Sequence, residues 1–197
     1  MLKIGLTGGL GCGKSTAGIV LAELGAYIFD ADNEAKTMIS KNLTVQSELI
    51  AEFGTDIMGP DNVIDLKKLG RIALQDEDHK LRLNLVVHPY IYDLIDEQFD
   101  KISAKNKHTM FIVDGALIYE SGYDQHLDYV IVVTALMKNR MERAMGRRTL
   151  TREQILQRIE LQWTEEEKTG LADFVIHNDS TENSLRKEIT EIYERIV

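Results

Sequence analysis

Five short apolar runs punctuate the chain, at Leu2–Thr7, Ala26–Phe29, Met110–Val113, Tyr129–Val133 and Phe174–Ile176. Each is a few residues long and most are rich in β-branched or aromatic side chains, which favours strands over helices. Strands that read as continuous apolar runs are those covered on both faces, as in a parallel sheet. Helical patterns lie between the runs, so the expected fold is three-layer α/β, a parallel sheet sandwiched by helices. From Ala31 to Lys107 this rhythm stops, and helix-like segments follow one another with no core strand among them. That stretch is expected to be an inserted helical subdomain, leaving a single domain whose core is about residues 1–30 and 108–197. Near the C-terminus, Thr151 and Gln154 form a capping box that opens one helix, so Gly146–Leu150 is a loop. Thr181 opens a final amphipathic helix.

Composition narrows the partners. Of 197 residues, 44% are hydrophobic and 28% charged, the balance of an ordinary globular chain. A net charge of −9 opposes a general nucleic-acid or anionic-membrane surface, so an anionic ligand needs a local concentration of cations. Cys12 is the sole cysteine, which fits a reducing compartment and excludes disulfides within the chain. No signal-peptide pattern follows Met1, and the longest apolar stretch, around Tyr129–Met137, is too short to cross a bilayer. A cytoplasmic protein is expected.

The segment Gly8-Gly9-Leu10-Gly11-Cys12-Gly13-Lys14-Ser15 matches G-x-x-x-x-G-K-S/T at every fixed position. An apolar strand enters it and a helical pattern, Thr16–Leu24, leaves it, as a phosphate-binding P-loop requires. Glycines let backbone N–H groups converge on a phosphate, with the positive end of the helix behind them. Residues Gly8 to Thr16 are therefore candidates to hold ATP, with Lys14 reaching the β- and γ-phosphates and Ser15 ligating Mg²⁺. Cys12 reads as a small loop residue, the alternative being a thiol of lowered pKa among backbone donors.

Other residues decide the reaction. Asn106-Lys107-His108-Thr109 lacks the aspartate of a guanine-reading N-K-x-D, and the strand ending Asp114-Gly115 lacks the Asp-Glu of a motor ATPase. A small-molecule kinase remains. Asp30 and Asp32 follow the second strand, where open α/β sheets bind ligands; Asp32 is the candidate base, with a helix cap the alternative for either. Asp114 ends a buried strand, as a substrate- or Mg²⁺-side carboxylate or as a structural cap. Arg140, Arg143, Arg147, Arg148, Arg152 and Arg158 concentrate positive charge in one region of an acidic chain. A closing loop there would neutralise charge on a transferring phosphoryl group, and Arg147 lies in the loop. These residues alone also admit a kinase of another small acceptor, such as a sugar acid, shikimate or a nucleoside monophosphate, or a nucleotide-binding regulator without transfer chemistry.

In their order, these features resemble the dephospho-CoA kinase family over almost the whole chain. The likeness begins with Ile4-Gly5-Leu6-Thr7-Gly8-Gly9 and passes through Asp30-Ala31-Asp32, His88-Pro89 and Tyr119-Glu120-Ser121-Gly122. It continues with Arg143, Arg147, Arg158, Gln162 and Lys168, then Ala172-Asp173 and Val175-Ile176-His177-Asn178. The resemblance implies ATP-dependent phosphorylation of the ribose 3′-hydroxyl of dephospho-CoA, with Asp32 as base. It further implies a helical insertion that receives the acceptor, an arginine-bearing helical lid over about residues 140–163, and Asn178 near the adenine. His88 and Asp114 join Asp32 on the substrate side, and Arg143 joins the nucleotide side. From the residues alone His88 reads equally as a hydrogen-bonded histidine at a helix end, with Pro89 starting the next helix. The chain departs from the family pattern at Lys36, Leu66 and Ala116, where arginine, arginine and proline are usual.

Overall fold

The computed structural model describes residues 1–197. Strand β1 (Leu2–Thr7) leads through the glycine loop into α1 (Lys14–Glu23), and β2 (Tyr27–Asp30) follows. Four helices come next: α2 (Ala31–Lys41), α3 (Leu43–Phe53), α4 (Leu66–Ala73) and α5 (Glu77–Ser103). The chain then resumes its alternation with β3 (Met110–Asp114), α6 (Ile118–Ser121), β4 (Tyr129–Thr134) and α7 (Met137–Gly146). It ends with α8 (Arg152–Glu160), α9 (Glu165–Leu171), β5 (Phe174–His177) and α10 (Glu182–Ile196).

The strands form one parallel sheet in the order β2-β3-β1-β4-β5, as the apolar runs predict. From β1 the chain winds first to one side and then to the other. The C-terminal end of β1 is therefore the topological switch point, the crevice where open α/β sheets take ligands. Both faces are covered, which is why the strands read as unbroken apolar runs. Ile4, Leu6, Met110, Ile112, Ile131 and Val133 pack with Ala17, Val20 and Leu21 of α1 and with Leu185, Ile189 and Ile192 of α10. On the opposite face Val130 and Val132 pack against Ile118 and Tyr119 of α6. Phe111 stacks on Phe29 at 5.9 Å and meets Phe99 of α5 edge-on at 5.5 Å. No helix is long and apolar enough to cross a membrane.

Residues 1–30 and 97–197 form one compact unit and residues 31–96 a second. The second is helical, with a single antiparallel bridge between Met58 and Ile64. Its helices begin at strong local signals: Asn42 caps α3 by accepting from the N–H groups of Thr44 and Val45, and Asp65 caps α4 by accepting from Lys67 and Lys68. These backbone donors hold the Asp65 carboxyl below its ordinary pKa.

One expectation fails here. Pro89 does not start a helix and His88 does not end one, because α5 runs through both. Proline removes one backbone donor, at a cost of about 3 kcal/mol in a helix interior. Val87, Ile91 and Ile95, spaced one turn apart and all buried, carry the apolar stripe across the break. Leu85, four residues before the proline, is 68% exposed, so water can reach the carbonyl that Pro89 leaves without its helical partner.

Candidate active site

The phosphate loop is shaped by glycines where no side chain fits. Gly11 and Gly13 take φ values of 82° and 99°, a region open chiefly to glycine. A Cβ at Gly11 would strike the backbone carbonyl of Arg140, and one at Gly13 would strike the side-chain amide of Asn178. Gly13 stands at the cap of α1, so Lys14, Ser15 and Thr16 form the helix's first turn, the Thr16 N–H closing back on Gly13 O at 3.0 Å. Ser15 is exposed and Thr16 half-buried. Cys12 turns inward: burial pushes its thiol up to about 11, outweighing the backbone N–H of Lys14, the opposite direction from a thiol activated by backbone donors.

Lys14 forms an ion pair with Asp114 through Nζ and Oδ1. Asp114 ends β3, in register with Leu6 of β1 on one side and Asp30 of β2 on the other. The loop lysine thus meets a carboxylate at the switch point. Asp32 falls two residues beyond Asp30, in the first turn of α2, where the helix dipole favours negative charge.

Behind the loop, side chains distant in sequence hold its carbonyls. The Asn178 amide donates to Cys12 O at 2.8 Å. Arg143 donates through Nη2 to Asn178 O at 2.8 Å and through Nη1 to Cys12 O at 3.4 Å. Arg140, buried in α7, donates through Nε to Leu10 O at 3.0 Å and pairs through Nη1 with Glu165 at 2.9 Å. Glu165 in turn accepts from the Thr134 hydroxyl at 2.6 Å. Gln162 accepts from the Leu10 N–H at 3.0 Å.

A second buried network stands beside the first. Lys168, fully buried, donates to Ala116 O at 2.9 Å and pairs with Glu120 at 2.8 Å. Glu120 also accepts from the Trp163 N–H at 3.0 Å, and the Trp163 ring stacks on Tyr119 at 6.1 Å. Burial pushes the Tyr119 hydroxyl up to about 12.

The six arginines do not act as one group. Arg140 and Arg143 turn toward the loop, whereas Arg147, Arg148, Arg152 and Arg158 are exposed. Arg147 sits at the C-terminal end of α7, and α8 starts at the expected Thr151–Gln154 capping box. In the helical unit, the His88 ring stacks on Tyr92 at 5.8 Å, and burial holds its imidazole down to about 4.

A family model described as dephospho-CoA kinase matches residues 2–184. The chain belongs to the dephospho-CoA kinase family. It is 34% identical over 197 residues to the dephospho-CoA kinase of Thermobifida fusca, covering 100% of this chain and 96% of that one. The enzyme of that name from Aquifex aeolicus is 35% identical over 196 residues, covering 100% and 98%. The solved dephospho-CoA kinase from Campylobacter jejuni superposes with a TM-score of 0.69 at 29% identity, covering 98% of this chain and 96% of that one.

Among the braces, Arg143, Gln162 and Asn178 stand out in the sequence through the family likeness, whereas their partners do not. Arg140 was legible only as one charge in a patch, and Glu165 and Thr134 drew no attention. One signal was present: Arg140 and Ala144 are the two buried positions of α7, so an arginine occupies the stripe that a core-facing residue should hold. Lys168 is likewise the buried residue of α9, in a helix otherwise opened by glutamates.

Proposed function

We propose that the protein transfers the γ-phosphoryl group of ATP to the ribose 3′-hydroxyl of dephospho-CoA, giving coenzyme A and ADP. What supports this reading most is the joint occurrence of a family match over residues 2–184 with a fully formed phosphate loop at the switch point of a parallel sheet. ATP lies along Gly8–Thr16, with Arg143 and Asn178 on the nucleotide side. Lys14 neutralises charge on the β- and γ-phosphates, exchanging part of its pairing with Asp114 for the ligand. The 3′-oxygen attacks the γ-phosphorus, the bond to the bridging oxygen breaks, and ADP leaves. Asp32 accepts the hydroxyl proton, a role typically worth roughly 10² to 10⁴ in rate.

Mg²⁺ suits the donors present. The exposed Ser15 hydroxyl and the Asp114 carboxylate are hard oxygen ligands beside the phosphate loop. Mg²⁺ bound with a nucleotide takes only one or two such ligands from protein and the rest from phosphate and water. When bound it would neutralise charge on the leaving phosphates. Arg147, exposed at the edge of the region 140–163, is the lid residue that would close on the phosphoryl group. The helical unit, with His88, takes the acceptor. A reducing cytoplasm fits a chain whose single cysteine is a buried thiol.

The test is ADP release from ATP across a panel of acceptors: dephospho-CoA, shikimate, a sugar acid and nucleoside monophosphates. Turnover with dephospho-CoA alone is expected. Turnover of another acceptor without dephospho-CoA would sink the substrate assignment, and ATP binding without any product would make the protein a regulator.

A further inference from the structure

Leu10 stands between Gly9 and Gly11, neither of which can brace it with a side chain. Glycines permit wide rotation of the neighbouring peptide planes. Yet both planes are held. The N–H of the Gly9–Leu10 peptide donates to Gln162 Oε1, and the carbonyl of the Leu10–Gly11 peptide accepts from Arg140 Nε, each at 3.0 Å. The two side chains come from either flank of the lid region, 152 and 130 residues away in sequence.

Arg140 is itself fixed. Its side chain is 4% exposed and pairs with Glu165, whose other carboxylate oxygen is taken by the Thr134 hydroxyl. The pair fills the space beside Gly9, where a Cβ would collide with both Arg140 and Glu165. A buried charged donor with a charged partner holds its direction far better than a solvated surface arginine. Two peptide planes of the phosphate loop are therefore set by side chains of the protein itself.

We infer that Arg140, Gln162 and Glu165 are positioning residues for the phosphate loop, fixing the Leu10 backbone so that the triphosphate finds its donors already aligned. This rests on the reading of Gly8–Thr16 as the ATP site. Preorganisation of this kind sets the affinity for ATP and leaves the transfer step to Lys14 and Asp32.

Arg140→Ala removes the whole bracing side chain and endangers folding, so the test uses Gln162→Met, which removes one neutral hydrogen bond, and Glu165→Gln, which keeps the shape and an oxygen acceptor for Arg140. ATP dissociation constants from calorimetry require no acceptor and are measured beside steady-state kinetics. Trp163, the only tryptophan, reports by its emission that the segment next to Gln162 is intact. Each variant is expected to weaken ATP binding roughly two- to tenfold, the range of one neutral hydrogen bond, with kcat within about twofold and the acceptor KM unchanged. Unchanged ATP affinity in both variants would overturn the inference, as would a loss confined to kcat. Tighter ATP binding by Gln162→Met would overturn it in a different way, showing that the glutamine blocks the loop. Wild-type protein that binds no ATP would instead refute the nucleotide reading on which the inference rests.

Discussion

The phosphate-binding half of the molecule and the helical unit of residues 31–96 are built on different plans. Around the loop, polar side chains from α7, the segment between α8 and α9 and the end of β5 reach more than a hundred residues back to hold single backbone atoms. In the helical unit, polar contacts such as the Asp65 cap, the Tyr90–Glu48 hydrogen bond at 2.7 Å and the Arg82–Glu52 pair span from two to 42 residues and lie at exposed or half-exposed sites. Phosphate is a small, symmetric, charged target, so its recognition rewards backbone donors held rigid in a low-dielectric frame. A large, flexible acceptor is better met by a surface that can adjust. Substitutions in the first region should therefore cost more than those in the second, except where the second supplies the reacting group.

That exception is the strongest challenge to the contrast. Asp32→Asn, at the very start of the helical unit, is expected to lower kcat by about 10² to 10⁴ while ATP binding stays near wild type. An unchanged kcat in a rapid-quench assay would remove Asp32 as base. Lys14→Ala strikes the donor side and is expected to lower kcat/KM by about 10² to 10³, with weaker ATP binding as well. A change limited to kcat would show that Lys14 does not hold the ground-state phosphates.

Lys168→Met sharpens the same contrast through stability. It leaves Glu120 buried without its cation, a change that typically costs about 3–5 kcal/mol, read as a lower urea midpoint. In the helical unit, removing the exposed Tyr90–Glu48 hydrogen bond by Tyr90→Phe should cost at most about 1 kcal/mol.

These differences also explain how much the sequence could reveal. The sheet was legible because each strand is buried on both faces and hence uniformly apolar. The boundary of β2 slipped by one residue, since the Ala26 N–H closes the end of α1 on Leu21 O while Asp30 still pairs in register with Asp114. Thr151 and Thr181 announced α8 and α10 through local capping chemistry, which a sequence displays directly. The contacts of the braces were hidden because hydrogen bonds such as Leu10–Gln162 and Cys12–Asn178 link residues that only the fold brings together. Pro89 misled because a local rule was overridden by the apolar stripe on either side of it.

Smaller effects should appear in the helical unit. Burial holds His88 at about 4, below its ordinary 6.5, so the folded protein favours the neutral ring. Between those values the unfolded chain binds the proton and the folded one does not. Stability from this site is thus complete above about pH 6.5 and is lost as pH falls toward about 4. The unfolding free energy of His88→Gln should accordingly fall less steeply over that window, and an identical slope would show that His88 is not insulated. Smallest of all, Leu66→Arg restores the family's usual arginine and is expected to lower the acceptor KM about two- to fivefold without altering the KM for ATP, as one phosphate contact at a half-exposed site would. An equal change in both would dissolve the division between donor and acceptor regions.

The division finally depends on what is made. With ATP and dephospho-CoA supplied, the position of the new phosphate can be read by phosphorus NMR and by removal with a 3′-nucleotidase. The account predicts a single product phosphorylated on the ribose 3′-oxygen, formed in step with ADP and absent with Asp32→Asn. Phosphate at any other position, or ADP released with no phosphorylated acceptor, would contradict it.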